Sequence, residues 1–213
     1  MLPISIRRMI FALTLWVTIG ATAAVAAGCP PGLPPQVFCG TDDMSAITAG
    51  TYKLDESHAA VLARVSHIGY SRSVFRFDAV GGQLTWDPAD LSKAKLTATV
   101  QTGSIISNVP RFATELVGDK YLNAKAFPEA TFVSTAFRRK DATHGKVDGQ
   151  FTLMGKTKPV TFDVALGGAG KGFGRPRLGV SVIGTINPQD YGMPPFFVVP
   201  IDLVIDVEFE KQP

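Results

Sequence analysis

The sequence predicts an all-β protein of about eight antiparallel strands that form a closed barrel or a sandwich. The first observation is a strand–turn–strand pattern at Gly149–Leu166, where apolar and polar residues alternate on both sides of Met154–Thr157. The second is that similar alternation recurs along most of the chain after Thr51, which indicates strands with one buried face. The third is a break in this pattern at Val109–Lys125. Alternation alone does not distinguish a filled core from a lined cavity.

Residues 1–28 have the order of a secretory signal peptide. Arg7 and Arg8 precede the apolar run Met9–Ile19, and the small residues Gly20–Gly28 follow it. The apolar run is too short to span a membrane well, so a membrane anchor is the weaker interpretation. Removal of this segment lowers the net charge from +3 to +1, and basicity therefore gives no argument for a nucleic-acid partner.

Cys29 and Cys39 are the two cysteines of the chain, and they flank a proline-rich segment. One interpretation is a disulfide across this short loop, which suits an oxidising compartment. The other is lipidation, because Ala26–Cys29 resembles a bacterial lipobox; acylation of Cys29 would leave Cys39 unpaired. Proline and glycine make residues 29–50 poor in helix or strand signals, and we interpret them as an N-terminal arm.

The remaining residues, 51–213, are predicted to form one domain of consecutive strands. The predicted strands are Tyr52–Asp55, Val61–His67, Val74–Trp86, Lys93–Gln101, Ala130–Arg139, the two strands of the central hairpin, Leu178–Ile186 and Ile201–Phe209. Gly81 and Gly82 predict a bulge or bend in the longest of these strands, and Gly167–Gly174 predicts a loop. In the last strand the odd-numbered residues from Ile201 to Phe209 are apolar, so we predict that they face the interior and that Asp202, Asp206 and Glu208 face solvent.

The break at Val109–Lys125 predicts one or two short helices, with Phe112 and Leu116 four residues apart on one face. An apolar cluster continues through Tyr121, Leu122 and Phe127. Pro128 then returns the chain to extended structure.

Motifs for catalysis or metal binding are not recognisable in the sequence. Gly155–Thr157 resembles the end of a phosphate-binding loop, but Gln150 replaces the required glycine and a strand follows where a helix is needed. His58, His67 and His144 are scattered along the chain, and isolated histidines are more often structural than ligands. We therefore predict a protein that is not an enzyme and that needs no metal or cofactor, although a catalytic triad formed by distant residues does not show in a sequence.

Several short motifs occur in a fixed order over nearly all of residues 51–213. They are Tyr52–Asp55 with His58, Val65–Gly69, Phe77 with Gly82, Phe127–Phe132, Gly149–Val160 and Asp190–Met193. In this order the chain resembles the YceI-like polyisoprenoid-binding proteins, which are bacterial and often periplasmic. The resemblance implies an extended lipocalin-like barrel with short helices near its mouth. It also implies a periplasmic carrier, without catalysis, whose apolar interior binds an isoprenoid such as a quinone or a polyprenyl phosphate.

The resemblance also implies a ligand site. Its expected residues are Phe75, Phe77, Leu96, Phe132, Phe151 and Phe162 on the cavity wall, Phe112, Leu116, Tyr121, Leu122, Phe127, Met193 and Phe197 at the mouth, and His67. Phe75 replaces a glycine that is common in the family, so we expect a shorter cavity and a shorter preferred chain. Pro188 replaces an arginine that commonly precedes the Asp-Tyr-Gly segment, which removes a charged contact for a head group there.

Two other functional classes stay open at this point. One is a structural or interaction protein with a filled barrel, in which residues 29–50 form the functional part. The other is an enzyme whose site assembles from distant residues, such as Asp119 or Asp190 beside His67. Two further partners also stay open, namely a membrane, if Cys29 is acylated, and a second copy of the chain.

Overall fold

The computed structural model describes residues 29–195 and 197–213, so the predicted signal peptide, residues 1–28, lies outside the described residues. The strands are β1 Gly50–His67, β2 Ser71–Phe77, β3 Val80–Trp86, β4 Lys95–Gln101, β5 Ile105–Ile106, β6 Glu129–Arg139, β7 His144–Leu153, β8 Lys156–Gly170, β9 Arg177–Ile186 and β10 Ile201–Lys211. The α-helix α1 covers Pro110–Leu116, and 3₁₀ turns lie at Met44–Ala46, Leu91–Lys93, Thr102–Ser104 and Pro188–Tyr191. Within the described ranges, no helix has the length and apolar character needed to cross a membrane.

The strands form a closed antiparallel barrel, because β10 pairs with β1 as well as with β9. β2 and β3 both pair with one edge of β1, β3 at Gly50–Lys53 and β2 at Val61–His67. They therefore share one position in the barrel, and β5 and β4, which pair with β2 and β3, share the next. Ten strands thus occupy the eight positions of the predicted barrel, and a sandwich is excluded.

The central hairpin has the predicted turn. Leu153 pairs with Lys156, and the two residues between them, Met154 and Gly155, have φ values of 52° and 72°. Two consecutive positive φ values are what a two-residue type I′ turn requires, and this turn matches the right-handed twist of the flanking strands.

The last strand also has the predicted orientation. Ile201, Leu203, Val207 and Phe209 are buried, whereas Asp206 is exposed. The Asp202 side chain keeps 27% of its surface accessible, so this acid is not buried either. The alternation of apolar and polar residues in β10 therefore reported the two sides of the barrel wall correctly.

The prediction of one long strand at Val74–Trp86 is wrong. This segment contains parts of two strands, β2 and β3, which are separated at Asp78–Ala79. The chain changes partner at this point, from β5 to β4. The predicted bulge at Gly81 and Gly82 is also wrong, since the pairing of β3 with β4 is continuous through both residues.

The irregularities of the barrel wall lie elsewhere. Register shifts occur in β1 between Leu54 and Ala59, and in β6 between Ser134 and Ala136. The predicted loop at Gly167–Gly174 begins later than expected, because β8 continues to Gly170.

The N-terminal arm, residues 29–50, packs against the end of β8. β7 begins at His144, opposite Ala165, so the last residues of β8 have no partner from β7. Thr41 occupies this free edge, where its N–H donates to the Ala169 carbonyl at 2.9 Å and its carbonyl accepts from the Ala169 N–H at 2.7 Å. Cys29 and Cys39 form a disulfide with a Cα–Cα distance of 5.5 Å, which is the first of the two interpretations of these cysteines.

The two ends of the barrel differ. The helix end carries α1, the turn Met154–Gly155 and the start of β10. The arm end carries the N-terminal arm, the end of β3 at Trp86 and the hairpin between β6 and β7. Leu116 of α1 is buried at the helix end, whereas Phe112 remains 40% exposed.

Candidate ligand-binding cavity

The barrel interior contains a cavity of about 300 Å³. Its wall is formed by the inward faces of the strands, and all five odd-numbered residues of β10 from Ile201 to Phe209 belong to it. Pockets of about 300–1,000 Å³ with apolar walls are typical of small-molecule sites. The volume therefore lies at the lower end of the range for a bound small molecule.

The cavity exists because small residues alternate with aromatic ones on the inner surface. Ala98 of β4 pairs with Phe132 of β6, and both line the cavity. The Phe132 ring lies over Gly149 of β7, and the Phe162 ring lies over Gly184 of β9. The rings of Phe132 and Phe162 meet edge to face, with a centroid distance of 5.1 Å. Aromatic pairs prefer this arrangement, so the two rings hold each other in place on the wall.

Part of the predicted ligand set lies on the cavity wall. These residues are Phe77, Leu96, Leu122, Phe132, Phe151, Phe162 and Met193. Leu122 and Met193, predicted at the mouth, lie at the helix end of the cavity. The contribution of these residues to ligand binding stays a prediction.

The other predicted residues do not line the cavity. Phe75 faces inward opposite Ala63, but it is not a lining residue and packs against Phe112 at a ring distance of 6.0 Å. That Phe75 shortens the cavity stays a prediction. His67 is the last residue of β1 and is exposed.

The predicted mouth residues at the helix end form a cover. Leu116 is buried, and the rings of Tyr121 and Phe197 meet edge to face at 6.0 Å. The Phe127 ring packs against the turn at Gly155. These side chains therefore cover part of the helix end of the barrel.

The polar part of the cavity lining lies at the arm end. It is concentrated in the β6–β7 hairpin, which contributes Arg138, Arg139, Asp141, Thr143, His144 and Lys146. Trp86, Leu91, Phe137 and Met44 complete the lining at this end. The sequence prediction missed this rim and placed the mouth at the opposite end of the barrel.

The interior offers little acid–base chemistry. Burial, together with the nearby charge of Asp190, raises the pKa of Tyr191 to about 12, so this phenol stays protonated at physiological pH. Burial also raises the pKa of Tyr52, whose hydroxyl donates to the Thr48 carbonyl at 2.7 Å. Among the lining residues that the structure describes, Asp141 at the rim is the one carboxylic acid. The arrangement is therefore suited to binding an apolar molecule.

A cluster on the outer surface resembles a metal site, but the Arg177 guanidinium already supplies the positive charge there. Ligand atoms of Asp55, His58 and Glu208 lie within 4.8 Å of one another. Arg177 Nη1 donates to both Asp55 Oδ2 and Glu208 Oε2 at 2.6 Å, and Nη2 donates to Glu210 at 2.6 Å. The guanidinium lowers the pKa of Asp55 to about 2. The cluster is thus an ion-pair network that ties the irregular part of β1 to β9 and β10.

Comparison with known proteins places this barrel in a family. Residues 52–211 match the family model of the YceI-like domain. A UPF0312 protein of Pseudomonas putida is 37% identical over 169 residues, which cover 77% of this chain and 88% of that protein. A UPF0312 protein of Pseudomonas fluorescens is 34% identical over 171 residues, covering 78% and 89%.

Solved structures share the fold. The YCEI protein of Campylobacter jejuni is 26% identical, with a TM-score of 0.63, and the match covers 70% of this chain and 91% of that one. BcnA of Burkholderia cenocepacia has a TM-score of 0.66 at 20% identity, covering 73% and 98%. A polyisoprenoid-binding domain from Saccharophagus degradans has a TM-score of 0.57 at 12% identity, covering 76% and 98%. With its closed barrel, its apolar cavity and a matching domain over residues 52–211, the chain belongs to the YceI-like family.

Proposed function

We propose that this protein binds an isoprenoid lipid inside the barrel and carries it in the periplasm without chemical change. The observation that supports this most is the cavity of about 300 Å³ with an apolar wall. The polyisoprenoid-binding domain from Saccharophagus degradans has a similar fold, which gives independent support for the ligand class. The disulfide between Cys29 and Cys39 fits an oxidising compartment such as the periplasm.

The cavity volume limits the length of the enclosed chain. A dry cavity of about 150 Å³ holds benzene, with about six carbon atoms. By proportion, the cavity of about 300 Å³ encloses about twelve carbon atoms, which is between two and three isoprene units. A longer chain would extend past the rim at the arm end or displace side chains at the helix end.

The burial of such a chain accounts for moderate affinity. Each methylene transferred from water contributes about 0.8 kcal/mol, so about twelve carbon atoms contribute about 10 kcal/mol. Association costs at least about 4 kcal/mol in lost freedom of motion, which leaves a dissociation constant of tens of micromolar. Tighter binding would need polar contacts with the head group.

The proposal can be tested by ligand extraction and titration. We expect mass spectrometry of an organic extract of the protein, purified from the periplasm of its host, to show an isoprenoid. Once residues 1–28 are removed, Trp86 is the remaining tryptophan of the chain, and it lines the cavity. Farnesol, a chain of three isoprene units, should therefore change the Trp86 emission in a saturable way.

A pair of neighbouring variants separates binding inside the barrel from binding on its surface. Ala98 lines the cavity, whereas Thr97, the preceding residue, is exposed on the outside. Ala98→Phe should abolish the response to farnesol at a cost of about 1–3 kcal/mol in stability. Thr97→Phe should leave the response unchanged. The absence of any extracted lipid, together with identical titrations of both variants, would mean that no ligand enters the barrel.

A further inference from the structure

The arm end of the cavity contains a hydrogen-bond donor without an acceptor. Nε1 of Trp86 is shielded from solvent and has no partner within residues 29–195 and 197–213. Trp86 belongs to the cavity lining, and its ring meets Phe137 edge to face at 6.1 Å. Buried polar groups are nearly always paired, so the unpaired indole N–H of this lining residue is a donor that an acceptor atom of a ligand would satisfy.

A cation without an ion pair lies on the same rim. Arg139 pairs with Gly145 in the β6–β7 ladder, and it lies on the same face of β6 as Phe137, which pairs with Val147. Gly145 has no side chain to cover the guanidinium. In the part of the chain that the structure describes, Arg139 forms no side-chain hydrogen bond or ion pair, unlike the other charged residues of the lining.

The other charged groups of the rim are already engaged. Arg138 lies on the outer face, where Nη2 donates to Asp148 at 2.6 Å, and Lys146 forms an ion pair with Asp163. Asp141 accepts from the backbone N–H groups of Thr143 and His144, at 2.9 and 2.8 Å, and its Oδ1 lies 3.0 Å from His144 Nδ1. The carboxylate is thus held by its own hairpin, and Arg139 is left as the uncompensated charge.

We infer that the arm end of the cavity binds an anionic, hydrogen-bond-accepting head group, such as a phosphate or a carboxylate, with Trp86 and Arg139 as its donors. The indole and the guanidinium donate hydrogen bonds and accept none, which favours a group rich in acceptor oxygens. Charge-assisted hydrogen bonds to Arg139 favour an anion over a neutral carbonyl or hydroxyl. The isoprenoid chain would run from this rim towards Leu122 and Met193 at the helix end. This inference rests on the proposed function.

The test compares three ligands with the same hydrocarbon chain, namely farnesol, farnesyl phosphate and farnesoic acid. Affinities for the exported protein are measured by calorimetry. We expect both anions to bind about tenfold more tightly than farnesol, the magnitude typical of a hydrogen bond to a charged group. The ratio of the two anions then shows whether phosphate or carboxylate is preferred.

The variants Trp86→Phe and Arg139→Gln remove one donor each and keep much of the side-chain volume. Each should weaken the binding of the anions by about tenfold and change farnesol binding by less than about twofold. Lys95→Gln is the matched control, because Lys95 is an exposed cation at the same end of the barrel that does not line the cavity, and its replacement should change neither. Thermal unfolding of all three variants checks that they are folded.

The outcomes separate this inference from the proposed function. If the wild-type protein binds farnesol but neither anion more tightly, or if Lys95→Gln weakens anion binding as much as Arg139→Gln, the head-group site is refuted and the carrier function stands. If the wild-type protein binds none of the three ligands, the proposed function itself is refuted.

Discussion

Gly149 and Gly184 leave room for the two aromatic rings that border the cavity. A Cβ atom on Gly149 would lie well inside van der Waals contact with the Phe132 ring and 2.5 Å from the Val133 carbonyl oxygen. A Cβ atom on Gly184 would meet the Phe162 ring in the same way. Each glycine is therefore the reason that a ring can lie flat on the wall and leave the centre of the barrel open.

Gly149→Ala should push the Phe132 ring into the cavity. We expect a loss of about 1–3 kcal/mol in the free energy of unfolding, as is typical of overpacking, and weaker binding of farnesol. Gly81→Ala is the control, because a Cβ atom there would have nothing within 4 Å. Urea denaturation and farnesol titration measure both effects, and equal behaviour of the two variants would contradict the packing argument.

Phe75 is the residue that we expect to limit the length of the cavity. It is 6% exposed, and its ring lies 6.0 Å from the Phe112 ring of α1. Phe75→Ala should destabilise the protein by about 3–5 kcal/mol and extend the cavity towards α1. The variant should therefore bind geranylgeraniol, with four isoprene units, more tightly relative to farnesol than the wild-type protein does.

Phe112→Ala provides the comparison for this length effect. Phe112 is 40% exposed, so its truncation removes the outer ring without opening the cavity. We expect the ratio of geranylgeraniol to farnesol affinity to stay at the wild-type value in this variant. An unchanged ratio in Phe75→Ala as well would show that Phe75 does not limit the ligand.

At the level of elements, the N-terminal arm is held on the barrel by the buried side chain of Ile47 as well as by the hydrogen bonds between Thr41 and Ala169. Ile47 is 1% exposed and packs with Tyr52 and Ala169, whereas Leu33 in the same arm is 42% exposed. Ile47→Ala should lower the free energy of unfolding by about 3 kcal/mol. Leu33→Ala should change it by less than about 0.5 kcal/mol. Similar small effects in denaturant titrations of both variants would mean that the arm does not unfold together with the barrel.

The ion-pair network around Arg177 makes the free energy of unfolding depend on pH in the acidic range. The hydrogen bond from Arg177, and then that from His58, lowers the pKa of Asp55 from 3.8 to about 2 in the folded state. Because the folded-state pKa is the lower one, the stabilisation is fully present above about pH 4 and is lost as the pH falls through about 2. This difference corresponds to about 2 kcal/mol.

Asp55→Asn should remove this part of the acid sensitivity. We expect the variant to be less stable than the wild-type protein at pH 6 and to approach it as the pH is lowered towards 2. Asp163→Asn is the control, because the Asp163 side chain is 68% exposed and should contribute little at any pH. Urea denaturation across this pH range measures the difference, and parallel curves for wild type and Asp55→Asn would refute the assignment.

For the molecule as a whole, the order of residues 1–28 predicts export with cleavage before Cys29. The mass of the protein purified from its host should correspond to residues 29–213, less the two hydrogen atoms lost in the disulfide. Thiol labelling before and after reduction should then detect no thiols and two thiols, respectively. An intact Met1 would contradict export, and a diacylated Cys29 would favour the lipoprotein interpretation.

Local structure follows directly from the sequence wherever one strand faces the interior along its whole length. The alternation in β10 and the glycine at the turn between β7 and β8 report on burial and on φ, which depend on neighbouring residues. The resemblance to the family then correctly indicated the closed barrel and the apolar wall. The alternation that gives an apolar wall is repeated in many strands, so an error in the prediction of one strand does not change the predicted fold.

Only the folded chain shows which polar side chains lie at the arm end of the cavity. Counting alternate residues from Phe132 would place Arg138 on the inner face of β6 and Arg139 on the outer face. The register shift between Ser134 and Ala136 reverses this, so that Phe137 and Arg139 face inward. A bulge adds one residue to one strand of a pair, and it depends on how that strand fits its partner. Likewise, the cover at the helix end depends on loops that are distant in sequence and meet only in the folded chain.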